Sequence, residues 1–199
     1  MILCFLGGIG SGKTVSLIKE IIKRDDFVFT NFDIIGYKKY HRLMFKDIFR
    51  EFEDKKGKKS YDVNWNFWKN QKIKDFSICL DEVHNLVGSR NSQTTQNKLL
   101  SKWVAQVRKL YADSQHSNLY ILSQTIRRID VDFRDLVHII VCHKCVKINN
   151  KVWIKQYWYD GMENYLNGRR NMSTVFLANP YFKYYDTKKI VFDENEKYL

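Results

Sequence analysis

Eight residues near the amino terminus restrict the fold more than anything else in the chain. Residues 7 to 14 read Gly-Gly-Ile-Gly-Ser-Gly-Lys-Thr and follow directly on the apolar run Ile2-Leu3-Cys4-Phe5-Leu6. The spacing is G-x-x-x-x-G-K-[ST], and the amphipathic stretch from Val15 to Arg24 comes straight after it. Strand, glycine loop and helix in that order are the context a Walker A phosphate loop requires. Gly7, Gly10 and Gly12 let the backbone curl until its N–H groups point into one concavity. The phosphate-binding set is therefore Gly7, Gly8, Ile9, Gly10, Ser11, Gly12, Lys13, Thr14 and Val15. Lys13 reaches the β- and γ-phosphates of a nucleotide as a point charge. The Thr14 hydroxyl can ligate Mg²⁺, and the following helix turns its positive dipole end toward the anion.

The 199 residues suffice for one α/β domain of this type and are too few for two. The charge balance is unusual: 34 Lys and Arg against 22 Asp and Glu give +12. An excess of this size points to a polyanionic partner held through counterion release. No apolar run approaches the about 18 residues of a membrane span. The first residues run straight into the phosphate loop, so they do not read as a secretory signal. Four cysteines without a framework fit a reducing compartment. Cys142 and Cys145 form a C-x-x-C with His138 and His143 nearby, but the second pair of a zinc site is missing, and buried thiols are the simpler account.

Strand and helix patterns alternate along the chain. Strands are expected at Ile2–Leu6, Phe27–Thr30, Phe76–Leu80, Leu119–Ser123 and Val137–Cys142, apolar enough for a parallel sheet covered on both faces. A second helix is expected across Asn97–Tyr111, where Leu99, Leu100, Trp103, Val104, Val107 and Leu110 recur at helical spacing and Lys98, Lys102, Arg108 and Lys109 fall between them. Tyr40–Lys74 reads as an irregular insertion with a basic turn at 55–59 and an aromatic patch at Trp65-Asn66-Phe67-Trp68. That patch suits either nucleic-acid contact or internal packing. Val146–Ile148 and Val152–Trp158 look like a hairpin closed by Asn149-Asn150. A polar stretch, Asp160–Ser173, leads to Val175-Phe176-Leu177, and a last short strand is expected at Ile190–Phe192. The expected architecture is a three-layer α/β/α nucleotide-binding domain of RecA type with a mainly parallel sheet. Its core spans 1–145 and a C-terminal hairpin elaboration spans 146–199, within one domain over 1–199.

A second nucleotide motif, Ile78-Cys79-Leu80-Asp81-Glu82, is an apolar strand ending in two acids, the Walker B pattern. Asp81 can hold the Mg²⁺ shell jointly with Thr14. Glu82 can polarise a water for in-line attack on the γ-phosphate. Gln124 follows the strand Leu119–Ser123. Where a strand is added between those of Walker A and Walker B, its tip lies beside the γ-phosphate, and Gln124 is then placed to sense that group and orient the water.

These residues carry a resemblance. The set GGIGSGKT at 7–14, Thr30-Asn31, ICLDEVHN at 78–85, Arg108-Lys109, YILSQT at 120–125 and Arg134-Asp135-Leu136-Val137 resembles the FtsK/HerA superfamily of DNA-pumping ATPases. Within it, the chain is similar to the compact genome-packaging ATPases of archaeal and membrane-containing viruses and to the related Zot-like assembly ATPases of filamentous phage. Phe182-Lys183-Tyr184-Tyr185-Asp186-Thr187 is similar to a segment near the end of these domains. The extra domains of the FtsK motor and the membrane segment of Zot-like proteins are not seen here, which favours the packaging branch. The resemblance implies ATP and Mg²⁺ as cofactors, duplex DNA as partner, and a homo-oligomeric ring, a hexamer, with nucleotide at subunit boundaries. It also implies an arginine contributed in trans. Arg127, Arg128 and Arg134 are the candidates, with Arg90 and Arg108 behind them. A viral packaging role further implies the host cytoplasm and a capsid or vertex protein as partner.

Two other enzyme classes fit part of the pattern. Asp81-Glu82-Val83-His84 spells a helicase D-E-x-H box, but that class needs a second RecA-like domain. A small kinase needs an arginine-rich lid, and the Asp81-Glu82 pair argues against it. A basic nucleic-acid-binding protein that uses nucleotide only as a switch is the non-enzymatic alternative.

Overall fold

The computed structural model describes residues 1–53, 57, 59–71, 73, 75–83, 95–107 and 117–186, with backbone alone for 95–97 and 107. The elements in order are β1 (Ile2–Leu6), α1 (Lys13–Arg24), β2 (Phe27–Thr30), β3 (Tyr40–Arg42), α2 (Phe45–Ile48), β4 (Phe49–Glu53), β5 (Lys59–Val63), α3 (Trp65–Lys69), β6 (Phe76–Leu80), α4 (Thr95–Val107), β7 (Leu119–Ser123), α5 (Val131–Arg134), β8 (Ile139–Ile148), β9 (Lys151–Asp160), α6 (Gly161–Leu166) and β10 (Met172–Leu177). A 3-10 turn at Ile126–Arg128 and a 3-10 segment at Asn179–Tyr184 complete the described chain.

One sheet organises the molecule, in the order β10-β9-β8-β1-β7-β6-β2-β3. Every pair from β8 across to β3 is parallel. β9 and β10 extend the β8 edge by antiparallel pairing. The strand β7 lies between β1 and β6, so the strand before the glycine loop and the strand before Asp81 are separated by one other. That is the arrangement expected from the motifs.

Both faces of the central strands are buried because β1, β6 and β7 are apolar at odd and even positions alike. Leu3 and Phe5 point to α1, whose Leu17, Ile18 and Ile21 lie on them with Val28, Tyr120 and Val141. Each such side chain, taken fully out of water, contributes roughly 1.5–3 kcal/mol. Ile2, Cys4 and Leu6 point the other way, onto a cluster with Leu100, Trp103 and Val104 of α4 and Phe133 of α5. The three-layer α/β/α architecture follows from these two clusters. α1 starts at Gly12 and ends at Asp25 in left-handed geometry, with Lys23 and Arg24 in its last turn complementing the dipole.

The structure differs from the sequence expectation in four places. β8 runs unbroken over Ile139–Ile148, although separate strands are expected at Val137–Cys142 and Val146–Ile148, so residue 145 falls inside a strand. Asn149 and Asn150, both at positive φ (47° and 59°), close the β8–β9 turn as expected. The described residues of the Tyr40–Lys74 stretch form regular elements, and 54–56, 58, 72 and 74 lie outside the described residues. The stretch holds β3, α2, the β4–β5 hairpin and α3, and Trp68 is buried against Phe29, Phe76 and Trp103. The polar stretch Asp160–Ser173 contains α6 and the start of β10, because Gly161 and Gly168 at positive φ turn the chain. The second helix spans Thr95–Val107, and Arg108, Lys109, Leu110, Arg90 and Ile190–Phe192 lie outside the described residues. Among the described residues no helix is long and apolar enough to cross a membrane.

Candidate active site

The carboxyl ends of β1, β7 and β6 bring the motifs together. Leu6 is level with Ser123 in the β1–β7 register, and Leu80 is level with Ile121 in the β6–β7 register. Gly7, Gln124 and Asp81 therefore leave neighbouring strand tips on one edge of the sheet. Gly7, Gly10 and Gly12 have φ of 153°, 72° and 94°. A Cβ on Gly12 would collide with Ile154, and one on Gly7 would come within 3.0 Å of the His143 carbonyl. Gly7 and Gly12 thus leave no room for a side chain between the loop and its β8–β9 wall. Lys13 is buried, and its ammonium donates to the carbonyls of Gly7 (2.8 Å) and Gly8 (3.3 Å).

Thr14 Oγ1 donates to Asp81 Oδ2 at 2.7 Å. Asp81 is buried, and burial pushes its carboxyl above the usual range, against the Thr14 hydrogen bond that lowers it. Two hard oxygen donors meeting at a buried carboxylate fit Mg²⁺, whose charge would offset the cost of that burial. Asn31, just after β2, clamps the same residue from the backbone side. Asp81 N–H donates to Asn31 Oδ1 (2.8 Å) and Asn31 Nδ2 donates to Asp81 O (2.9 Å). Glu82 follows at φ 49°, a left-handed conformation costly for a non-glycine residue, with its N–H held by Asp81 Oδ1 at 2.8 Å.

Gln124 does not stand alone. Arg128 Nη1 donates to Gln124 Oε1 at 2.9 Å, so Arg128 is engaged within its own chain. Arg127 and Arg134 instead line a cavity of about 430 Å³ with Thr125, Val131, Met162 and Tyr165, on the α5–α6 side of the sheet.

Three contributions to this site lie outside the two motifs. β8 and β9 form the wall of the glycine loop: Ile154 packs under Gly12 and beside Val15. His143 is buried with Nδ1 at 3.2 Å from Leu6 O, the last carbonyl before the loop, and Nε2 at 3.2 Å from Gln156 Nε2. Leu6 O can only accept, so Nδ1 carries the proton and Nε2 accepts from Gln156. The chain continues outward: Thr174 Oγ1 donates to Gln156 Oε1 (3.0 Å) and Trp158 Nε1 donates to Thr174 Oγ1 (3.2 Å). Burial drops the His143 imidazole to about 4, which keeps it neutral as this chain demands. The third contribution is Tyr185. Its ring packs edge-on against Phe32, and the Tyr184 carbonyl before it accepts from Ile35 N–H at 2.9 Å. Its hydroxyl reaches Thr14. Burial and then the Asp81 charge push that hydroxyl up to about 12, with the Thr14 hydrogen bond opposing. Polar His143 and Gln156 at inward positions of otherwise apolar strands were the available sequence signal, and Asn31 and Tyr185 carried only the family resemblance.

Cys142 and Cys145 sit three apart on β8 and project from opposite faces, toward the α5–α6 side and the α1 side respectively. His143 is committed to Leu6 and Gln156, and His138 Nδ1 accepts from Ile2 N–H at 3.3 Å. Among the described residues no group of three His, Cys, Asp or Glu is placed to hold a metal ion.

No family model and no curated protein matches the chain. Among solved structures it is similar to the N-terminal domain of zonular occludens toxin from Neisseria meningitidis, at a TM-score of 0.60 and 15% identity, over 93% of this chain and 98% of that one. The genome packaging NTPase B204 from Sulfolobus turreted icosahedral virus 2, in complex with ATP-gammaS, aligns at a TM-score of 0.48 and 12% identity, over 87% of this chain and 95% of that one. With the glycine loop, the Thr14–Asp81 bond and β7 inserted between β1 and β6, the chain has a P-loop NTPase fold, and it is the fold of the zonular occludens toxin domain.

Proposed function

We propose that the protein is an ATP-hydrolysing motor that moves duplex DNA, acting in the packaging of a viral genome. The observation that carries the hydrolytic part is the Thr14 Oγ1–Asp81 Oδ2 bond with Glu82 one residue further on. The geometry supports assigning Lys13 and the loop amides to the triphosphate, Thr14 and Asp81 to Mg²⁺, Glu82 to the attacking water and Gln124 to its orientation. Held by Thr14 and Asp81, Mg²⁺ would supply charge neutralisation of the phosphates. The chain's own residues do the rest. Lys13 exchanges the Gly7 and Gly8 carbonyls for phosphate oxygens. Glu82 takes the proton of the attacking water. Asn31 holds the Asp81 backbone at the tip of β6.

The motor part rests on the net charge of +12, on the motif resemblance, and on a ring in which Arg127 or Arg134 reaches a neighbour's nucleotide. Arg128 fits that role least, because it is held on Gln124. A hexamer working at a capsid vertex in the host cytoplasm completes the reading. A second reading, a Zot-like assembly or extrusion ATPase, is favoured by the fold shared with the zonular occludens toxin domain.

Displacement of a third strand from a triplex-bearing duplex tests the motor. ATP-dependent displacement by the wild type, lost in Lys13→Ala, is expected. Nucleotide binding and turnover without displacement would reduce the protein to a switch or a non-translocating ATPase.

A further inference from the structure

The three strands that wall the phosphate loop have a second face. Along β8 and β9 the side chains alternate. His143, Cys145, Gln156 and Ile154 point toward the glycine loop and α1, as their contacts show. The other face carries Lys144, Val146 and Ile148 on β8, Lys151, Trp153, Lys155 and Tyr157 on β9, and Ser173, Val175 and Leu177 on β10. Beyond Cys142, where pairing with β1 ends, β8 and β9 project past the edge of the parallel sheet. α6 packs on this side only near Tyr159 and Tyr165. Among the described residues Trp153, Tyr157, Val146 and Leu177 join none of the buried clusters.

Among the described residues of β8, β9 and β10 the charge on this face is of one sign. Lys144 and Lys155 stand directly opposite each other in the register, both exposed. Like charges at opposed positions destabilise an antiparallel pair. Lys151 lies beyond Trp153 at the tip, and the Arg170 guanidinium lies over the Tyr157 ring at 5.1 Å. None of the face positions from Ile140 to Ile148, Lys151 to Tyr159 or Ser173 to Leu177 is acidic.

We infer that the outward face of the β8–β9–β10 meander, centred on Lys144 and Lys155, binds the sugar-phosphate backbone of duplex DNA. This deepens the motor reading and rests on it. The partner follows from charge complementarity: a repulsive lysine pair with no acidic neighbour on its face among the described residues is relieved by a polyanion. The rings favour duplex over single strand. Tyr157 is already covered by Arg170, and Trp153 is half-buried between Val146 and Leu177 by register, so neither offers a free stacking platform for an unpaired base. The face also lies back to back with the loop wall. Lys144 follows His143, and Lys155 sits between Ile154 and Gln156, so a strand shift on DNA contact is transmitted to the carbonyl of Leu6 and to Gly12.

The test uses the full chain and a short fluorescent duplex. Lys144→Glu with Lys155→Glu is compared with Lys46→Glu plus Lys69→Glu, which changes net charge equally at exposed lysines elsewhere. The first pair is expected to weaken duplex binding at least tenfold and to abolish stimulation of ATP turnover by DNA, with basal turnover unchanged. The milder Lys144→Gln plus Lys155→Gln is expected to cut the slope of log affinity against log salt by about 2, on roughly 0.9 per phosphate contact. Its melting temperature without DNA is expected to equal or exceed the wild type's. Unchanged duplex affinity in the Lys144 and Lys155 pairs, an equal loss in the control pair, or tighter binding of a single strand than of the duplex would overturn the assignment and leave the motor reading standing. A wild type that binds no duplex would sink the motor reading itself, and this surface with it.

Discussion

Thr14 Oγ1 and Asp81 Oδ2 are 2.7 Å apart, and this one bond ties the first turn of α1 to the tip of β6 across the intervening strand β7. The two residues have opposite consequences for stability. Thr14→Ala leaves a buried carboxylate short of a donor and is expected to cost about 1–3 kcal/mol. Asp81→Asn removes a charge that burial disfavours, since its folded pKa is raised. A group shifted upward stabilises the fold most below its ordinary pKa and loses that contribution as pH rises through the folded value. The asparagine is therefore expected to raise stability near neutrality by about 1 kcal/mol. Both variants lose Mg²⁺-dependent turnover. Thermal denaturation at neutral pH checks the pair, and equal destabilisation by both would contradict it.

In the run of hydrogen bonds from Trp158 to Leu6 O, Thr174, Gln156 and His143 each donate once and accept once. Gln156→Leu orphans the ring nitrogen of His143 and the Thr174 hydroxyl. It is expected to cost about 1–3 kcal/mol and to weaken nucleotide binding, because the strand end before Gly7 loses its anchor. The pH dependence has a definite sign. The His143 pKa falls from the ordinary 6.5 to about 4 on folding. Its contribution to stability is therefore present above 6.5 and is lost as pH falls toward 4. Urea denaturation across that window is expected to show a steeper loss in the wild type than in His143→Gln. Parallel curves would remove His143 from this role.

Arg128 is joined to Gln124 of its own chain at 2.9 Å. An arginine acting in trans can be rescued in a mixed oligomer by a Walker B mutant that supplies it, whereas one acting in cis cannot. Mixing Arg128→Ala with Glu82→Gln is expected to yield no recovery of ATP turnover. Recovery in that mixture, and none with Arg127→Ala or Arg134→Ala, would reverse the assignment.

The Tyr185 hydroxyl sits beside Thr14 and Asp81. The hydrogen bond between the tyrosine and Thr14 engages the oxygen that a metal ion would use. Tyr185→Phe is expected to lower the Mg²⁺ concentration for half-maximal turnover about 2–10-fold, the equivalent of one neutral hydrogen bond of roughly 0.5–1.5 kcal/mol. An unchanged Mg²⁺ titration would show that the hydroxyl plays no part there.

What was legible in the sequence was local. β1, β6 and β7 are continuous apolar runs, and the glycine loop, Asp81-Glu82 and Gln124 sit at their ends, so strand and site were read together. Leu100, Trp103 and Val104 were likewise identified as core from their spacing, and they are buried. Less legible was whatever depends on a partner across the sheet. His143 and Lys144 put two polar residues into an apolar stretch. One side of the strand is satisfied by Leu6 and Gln156, and the other faces outward. Ile154 matters because Gly12 has no side chain, a fact no spacing rule contains. Asn31 clamps the backbone of a residue fifty positions away. The region between β2 and β6 looked irregular because its short elements owe their order to Trp68 and Phe29 packing, not to their own periodicity.

Steady-state phosphate release by Glu82→Gln, measured beside the wild type with Mg²⁺, ATP and duplex DNA, bears most directly on the whole account. Turnover is expected to fall by roughly a hundredfold or more, the usual size of a lost general base, while a fluorescent ATP analogue still binds with wild-type affinity. Turnover that persists at the wild-type rate would contradict that role of Glu82, because the water would then be activated by something other than the carboxylate beside Asp81.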